Sequence, residues 1–277
     1  MVSISSLLSL SQDATYPLPD VPASLTDPAD RAAYVVENFW EKADLSHALD
    51  SDSVKLEQSF VDFISIFPYT ESPVVTLGIN NLLDKSSFDI SLYRKVVRLA
   101  EKYLYNVDSP LKEDEYYIPF LANYLESSLV KDSDKLRQNL QYDFVLKNRK
   151  GEKAADFGFE LRDGTKSSLY DITSPNDLLL IFYDPDCDNC KKTMSRIQTD
   201  AGLQEKVKTK EMTVLAVYSG DEKELWDRTK MSLPDEWIVG YEDGTIQDED
   251  IYILRMQPTL YLLDSDKKVK RKEFSIL

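Results

Sequence analysis

The sequence is poor in cysteine and histidine, and it lacks any long apolar run. Its 277 residues include two cysteines and one histidine. No stretch of about 18 uninterrupted apolar residues occurs, so the sequence predicts no membrane-spanning helix. A stapling disulfide framework is disfavoured, because two cysteines three positions apart would close only a very short loop. A zinc site is disfavoured as well, since His47 and carboxylates would be the only further ligands.

Basic residues are scarce relative to acidic ones. The chain has 49 Asp and Glu residues against 33 Lys and Arg residues, which gives a formal net charge of −16. A surface this acidic repels phosphate backbones and anionic lipid headgroups, so we expect neither nucleic acid nor a lipid surface as a ligand. A basic protein partner remains compatible with this charge. The 42% of hydrophobic residues is typical of a folded protein with an ample core.

Residues 1–25 are predicted to form an extended leader, because Pro17, Pro19 and Pro22 would break a helix. The segment from Met1 to Asp13 lacks a basic region, and its apolar patch is short, so we do not expect a secretory signal there. The sequence leaves open whether the protein stays inside the cell or has lost a signal.

Residues 26–147 are predicted to form an all-α domain of six helices. Asp27 can cap the first helix, and Pro28 suits its first position. The clearest amphipathic stripe runs from Leu92 to Tyr103. Pro119 should kink the fifth helix or lie in its first turn. No alternating strand pattern interrupts these segments.

Residues 148–277 have the pattern of an α/β domain with a mixed sheet flanked by helices. A hairpin is predicted around Asp163-Gly164, and an apolar run at 178–183 predicts a strand buried on both faces. The remaining expected elements are a helix at 187–208, a strand at 212–218, a helix at 221–230, a short strand at 237–241 and a hairpin at 259–274. The acidic run at 242–250 lacks the ligand order of a calcium loop and is predicted to be a solvated loop.

Cys187 and Cys190 fall where the predicted buried strand gives way to a helix. A helix N-terminus carries partial positive charge and free N–H groups, which stabilise a thiolate. We therefore expect Cys187 to be a nucleophile and Cys190 to be the resolving thiol that releases a mixed disulfide. Haem attachment would require histidine where Lys191 stands, and an iron–sulfur cluster would require more thiolates.

Residues 155–274 resemble the thioredoxin-like family, particularly the TlpA/ResA type of thiol–disulfide oxidoreductase. The pieces that carry the resemblance are Ala155-Asp156-Phe157, Asp163-Gly164, the segment from Phe182 to Cys190, and the segment from Gln257 to Asp264. The resemblance implies a cis-proline at Pro258, which would place the Gln257 backbone beside Cys187 to pair with a substrate strand. It also implies a protein disulfide substrate, an upstream thiol reductant and no cofactor beyond the redox-active disulfide.

The helical half resembles an uncharacterised domain found ahead of such modules in bacterial envelope proteins. The segments that suggest this are Asn106 to Pro110, Tyr116-Tyr117 and Asn148 to Gly151. The resemblance implies a location in the periplasm or cell envelope and leaves room for a lipid anchor on the native precursor. A cytoplasmic location stays open.

The motif departs from common thioredoxins in ways that bear on its chemistry. Asp186 replaces the usual tryptophan, and Ile181 occupies the position of the family's buried acid. Carboxylates near Cys187 disfavour its thiolate, which favours a reducing dithiol. The residues expected to modulate the site are Asp184, Pro185, Asp186, Asp188 and Asn189. Tyr183 either shapes the substrate groove or simply packs.

A second hypothesis belongs to another class of function. In it, the helical domain binds a protein or glycan ligand, and the thioredoxin-like half is mainly a scaffold with a vestigial cysteine pair. The reactivity of Cys187 separates the two hypotheses, because only the oxidoreductase requires a reactive thiol. A peroxide-reducing thiol is a third alternative, but the threonine and arginine that it requires are not evident near Cys187.

Overall fold

The computed structural model describes residues 15–275 and divides the chain into two compact units, Met1–Asp143 and Phe144–Leu277. The predicted absence of a signal at Met1 to Asp13 lies outside the described residues. Residues 15–25 contain no helix or strand, as expected of the leader. Tyr16 is nevertheless buried, and its backbone N–H donates a hydrogen bond of 2.9 Å to Ser59 Oγ. This part of the leader is therefore anchored to the first unit.

The first unit is helical, as the sequence predicts. Asp27 caps its first helix by accepting hydrogen bonds from the N–H groups of Ala29 and Asp30. Pro119 lies inside the fifth helix rather than in its first turn. A π-helical turn at Glu101–Tyr105 continues the fourth helix. The helices are α1 (Pro28–Asn38), α2 (Ser53–Ser65), α3 (Ser72–Ser86), α4 (Ile90–Ala100), α5 (Asp114–Glu126) and α6 (Leu136–Val145), the last of which crosses the division between the units.

Aromatic rings fill part of the core of the first unit. The ring centroid of Phe63 lies 5.1 Å from that of Phe39 and 4.8 Å from that of Phe67. Helices α1 and α3 approach closely at Gly78, where an added Cβ would lie 2.6 Å from the Val36 carbonyl oxygen. Glycine is therefore required at this helix crossing.

The second unit is built on a mixed sheet. Within residues 144–275, seven strands follow the order β2-β1-β5-β4-β3-β6-β7. Strands β3, β4 and β5 are parallel, and the other neighbouring pairs are antiparallel. The strands are β1 (Gly158–Leu161), β2 (Lys166–Ser168), β3 (Asp177–Tyr183), β4 (Met212–Ser219), β5 (Ile238–Glu242), β6 (Thr259–Leu263) and β7 (Val269–Lys272).

Strand β3 is buried on both faces, as its apolar run predicts. Leu178, Leu180 and Phe182 enter one core, whereas the alternate residues, among them Ile181 and Tyr183, enter the other. The second core also receives side chains from α7 and α9. The helices of this unit are α7 (Asp188–Thr199), α8 (Ala201–Lys208), α9 (Lys223–Thr229) and α10 (Thr245–Asp248). The predicted mixed sheet with flanking helices is confirmed.

Two local predictions were wrong. The single helix expected at 187–208 is broken at Asp200, whose side chain accepts the Leu203 N–H and so caps a second helix. The acidic run at 242–250 is not a simple solvated loop, because it contains α10 and the buried side chain of Glu242. That carboxylate accepts hydrogen bonds from the N–H groups of Gly244 and Ile246. Because these backbone groups replace water as its partners, the Glu242 side chain is buried although the segment is acidic.

Candidate active site

Cys187 lies at the N-cap of α7, four residues after the end of β3. Its Sγ accepts a hydrogen bond from the backbone N–H of Cys190 at 3.3 Å. The side chain is half-buried, so a partner molecule can reach it. A sulfur in this position receives an N–H donor and the positive end of the helix, both of which stabilise a thiolate.

Cys190 lies one turn further into the helix and is buried with 1% of its surface exposed. It packs against Met194 and Ile197 of the same helix in the second core. Burial, with smaller contributions from the nearby Cys187 and Asp184, raises the pKa of this thiol to about 12. The Asp184 N–H, which lies 3.5 Å from Cys190 Sγ, opposes the shift. Cys190 is therefore protonated at neutral pH and requires a proton acceptor in order to react.

The segment before β6 also lies next to the dithiol. The Gln257–Pro258 peptide bond is cis. The Gln257 carbonyl oxygen lies 4.0 Å from Cys187 Sγ and accepts a hydrogen bond of 2.8 Å from Asn189 Nδ2. The structure thus brings Gln257 next to Cys187 and Asn189, which the sequence also predicts for the site, although Gln257 lies about 70 positions further along the chain.

The three carboxylates around Cys187 have different surroundings. Asp186 and Asp188 are exposed, whereas Asp184 is half-buried and its Oδ1 accepts the Asp186 N–H at 2.7 Å. Lys191 Nζ lies 4.0 Å from Asp188 Oδ1 and offsets part of the negative charge. Such an exposed pair contributes little to stability. Asp184 is therefore the carboxylate most closely associated with the buried thiol.

A cavity of about 300 Å³ adjoins Cys190. The sequence did not predict this cavity, because its walls come from residues 183–185, helix α7 and residues 229–233, which no local pattern connects. Its lining residues are Tyr183, Asp184, Pro185, Cys190, Lys191, Met194, Ser195, Gln198, Thr229, Ser232 and Leu233. Asp184 is the one carboxylate in that set.

Tyr183 is buried beside this cavity, and its hydroxyl has no hydrogen-bond partner among residues 15–275. Burial raises the pKa of Tyr183, while the charge of Arg162 lowers it. A buried hydroxyl without a partner in the protein is costly unless a water molecule satisfies it.

Arg162 holds one wall of the cavity in place. Its guanidinium donates hydrogen bonds to the carbonyl groups of Lys230, Leu233 and Pro234 at 3.2, 2.9 and 3.0 Å. Leu233 itself lines the cavity. Arg162 lies in the turn between β1 and β2, so this strand pair is tied to the surroundings of Cys190.

Ile181 is fully buried in the same core as Cys190, so no carboxylate lies at the position where the resembling family has its buried acid. Among residues 15–275, no group of three or more His, Cys, Asp and Glu side chains is arranged to hold a metal ion. Over the same residues, no helix is both long and apolar enough to cross a membrane.

Comparison with protein families matches residues 3–148 to a domain of unknown function, DUF5106, and residues 170–272 to a thioredoxin-like domain. A search of curated proteins found no match. A crystal structure of a thioredoxin-like protein from Bacteroides caccae is 29% identical, with 94% of each chain covered and a TM-score of 0.84.

Two further solved structures cover about half of the chain. A conserved protein of unknown function from Bacteroides fragilis is 35% identical over 46% of this chain and 93% of its own, with a TM-score of 0.44. The thioredoxin domain of a thiol-disulfide oxidoreductase from Bacteroides vulgatus is 19% identical over 46% of this chain and 89% of its own, with a TM-score of 0.39.

The whole-chain likeness and the two family matches confirm the predicted pairing of a helical domain with a thioredoxin-like domain. The DUF5106 match, at residues 3–148, spans more than half of the 277 residues. The protein therefore belongs to the DUF5106 family and carries a thioredoxin-like domain in its second half.

Proposed function

We propose that the protein is a thiol–disulfide oxidoreductase that reduces disulfides in partner proteins through Cys187 and Cys190. The observation that carries the proposal is the position of Cys187 Sγ, 3.3 Å from the Cys190 N–H and 4.0 Å from the Gln257 carbonyl oxygen. This sulfur has a stabilising donor in the Cys190 N–H and lies near the Gln257 backbone carbonyl, beside which a substrate strand can align.

In the proposed reaction, the Cys187 thiolate attacks one sulfur of the partner disulfide. The partner S–S bond breaks, the other partner sulfur leaves as a thiolate, and a mixed disulfide forms. Cys190 then attacks Cys187 Sγ and releases the first partner sulfur. The partner gains two electrons and two protons, the Cys187–Cys190 pair becomes a disulfide, and an upstream thiol reductant returns it to the dithiol.

The proposed direction is reduction of the partner. The buried Cys190 thiol has its pKa raised to about 12, so the reduced pair gains little from ionisation of that sulfur. A dithiol that is poorly stabilised as a thiolate gives up its electrons more readily. The resemblance to envelope proteins supports a periplasmic or envelope location for this activity.

Trapping of mixed disulfides tests the proposal. The Cys190→Ser variant, incubated with proteins that contain disulfides, should accumulate covalent adducts through Cys187 that dithiothreitol releases. The Cys187→Ser variant is the matched control and should accumulate none. If Cys190→Ser forms no adducts and Cys187 resists alkylation, the thioredoxin-like half is a scaffold and the proposal fails.

A redox titration of the wild-type pair tests the direction. The expected reduction potential lies near that of reducing thioredoxins, at roughly −270 mV. A potential near that of the strong oxidant DsbA, at roughly −120 mV, would contradict the reducing role.

A further inference from the structure

The resolving step of the proposed reaction requires Cys190 to lose a proton in a buried site. Residue 181, where the resembling family places an acid, is a fully buried isoleucine here. The proton must therefore pass to another group. This inference rests on the proposed function and concerns its second step.

We propose that the Asp184 carboxylate accepts the Cys190 proton during resolution, through the cavity that both residues line, with the Tyr183 hydroxyl orienting the path. All three residues line the cavity of about 300 Å³. A water molecule occupies about 30 Å³ in the liquid, so this space has room for several. The Asp184 backbone N–H lies 3.5 Å from Cys190 Sγ and keeps the two residues adjacent.

The charge balance favours this transfer. In the mixed disulfide, Cys187 Sγ is bonded to the partner sulfur and carries no charge. The site then holds the Asp184 carboxylate beside a neutral Cys190 thiol. Loss of the Cys190 proton to bulk water would place two negative charges side by side, which is unfavourable. Transfer of the proton to Asp184 leaves one negative charge, now on the attacking sulfur.

Other charged groups face the same region. Lys191 lines the cavity beside Asp184. Arg162 acts on Tyr183 as a nearby positive charge. On the β4 side, Asp221 and Glu222 act with Asp184 on the Tyr218 hydroxyl. Asp221 and Glu222 do not line the cavity. Their charges therefore act on the site from a distance, and neither carboxylate can accept the Cys190 proton directly.

Tyr183 completes the path. Its hydroxyl is buried, has no partner among residues 15–275 and belongs to a cavity-lining side chain. Because burial raises its pKa, it remains a neutral donor while Cys190 reacts. A neutral hydroxyl can donate a hydrogen bond to a water molecule between Cys190 and Asp184, or to the thiolate as it forms.

Dithiodipyridine, an uncharged aromatic disulfide, separates the two steps in a stopped-flow experiment. Attack by Cys187 releases one equivalent of thiopyridone, and resolution by Cys190 releases the second. In Asp184→Asn, the first phase should not slow, because loss of a nearby negative charge can only favour the Cys187 thiolate, while the second should slow by ~100-fold, the scale of lost general-base catalysis. Tyr183→Phe should slow the same phase by a smaller factor. Cys190→Ser should show the first phase alone.

Asp221→Asn is the matched control. It removes one negative charge from the same neighbourhood without altering the cavity lining, so its second phase should match that of the wild type. A further test uses Asp184→Ala, which leaves room for a small carboxylate. Added formate should restore its second phase in proportion to formate concentration, whereas chloride at equal ionic strength should not.

The outcomes separate the two proposals. If neither equivalent of thiopyridone is released by the folded wild-type protein, the oxidoreductase proposal fails. If release is biphasic but Asp184→Asn resolves as fast as the wild type, only the role of Asp184 is overturned. A slow second phase in Asp184→Ala that formate leaves unchanged would also overturn it, since a purely structural defect gives that result.

Discussion

The side-chain amide of Asn189 donates a hydrogen bond of 2.8 Å to the Gln257 carbonyl, and that carbonyl oxygen lies 4.0 Å from Cys187 Sγ. This contact links the first turn of α7 to the segment before β6. Among the described contacts, the Gln257 carbonyl is the one backbone group of that segment that directly approaches Cys187 Sγ. The hydrogen bond from Asn189 fixes its orientation.

Asn189→Ala should slow the reaction of Cys187 with a polypeptide disulfide by roughly 3- to 10-fold, the equivalent of one hydrogen bond. The reaction with dithiodipyridine should change little, because that small disulfide makes no use of an aligned backbone. Parallel stopped-flow measurements with both substrates give the comparison. Lys192→Ala, an exposed change on the same helix, serves as the control. Equal slowing with both substrates would contradict the alignment role.

Cys190 should resist alkylation until the solution is strongly alkaline. With its pKa raised to about 12, the thiolate fraction at neutral pH is about a thousandfold below that of a free cysteine. In Cys187→Ser, the iodoacetamide rate followed by mass spectrometry should rise about tenfold per pH unit up to about pH 11. The same variant unfolded in urea should react at the free-cysteine rate. A plateau near pH 9 in the folded variant would disprove the shift.

Glu242 should make a contribution to stability that grows on acidification. Burial raises the pKa of this carboxyl above its unfolded value. The protonated form is then favoured by folding, so the contribution is greatest below the unfolded pKa and is lost as pH rises through the folded pKa. In urea denaturation from pH 7 to pH 4, the unfolding free energy of the wild type should rise relative to that of Glu242→Gln. A constant or shrinking difference would show that no such shift exists.

Gly78→Ala should destabilise the helical unit by about 1–3 kcal/mol. The added methyl would lie 2.6 Å from the Val36 carbonyl oxygen, which belongs to the backbone of α1 and cannot turn aside. Chemical denaturation of the full chain measures the change. Leu77→Ala, at a neighbouring exposed position on the same helix, should cost less than about 1 kcal/mol. Equal effects of the two substitutions would mean that the helix crossing adapts.

Periodicity and capping were sufficient to predict the elements that surround the dithiol. The run of apolar residues at 178–183 can be satisfied only by burial on both faces, and the structure places β3 inside the sheet between β4 and β6. The capping role of Asp200 was not predicted, because an aspartate in a polar helical stretch cannot be told from any other solvated residue. Its capping role depends on where the chain turns. Glu242 was missed for a similar reason, since its burial arises from the turn that follows β5.

The cavity beside Cys190 could not be predicted from the sequence. Cys190, Tyr183 and Asp184 are close in the chain, but Thr229, Ser232 and Leu233 join them only through the packing of α9 and the turn after it. The sequence showed that an acid was missing at Ile181. It could not show which carboxylate shares a space with the buried thiol, because that depends on side-chain placement.

The three carbonyl groups bound by Arg162 have a consequence for how this unit could evolve or be controlled. The guanidinium ties the segment from Lys230 to Pro234 to the strand pair at the far edge of the sheet. A ligand or neighbouring chain that moved that edge pair would displace Leu233 and so alter access of water to Cys190. A change at the β1–β2 edge would in this way reach the surroundings of the buried thiol.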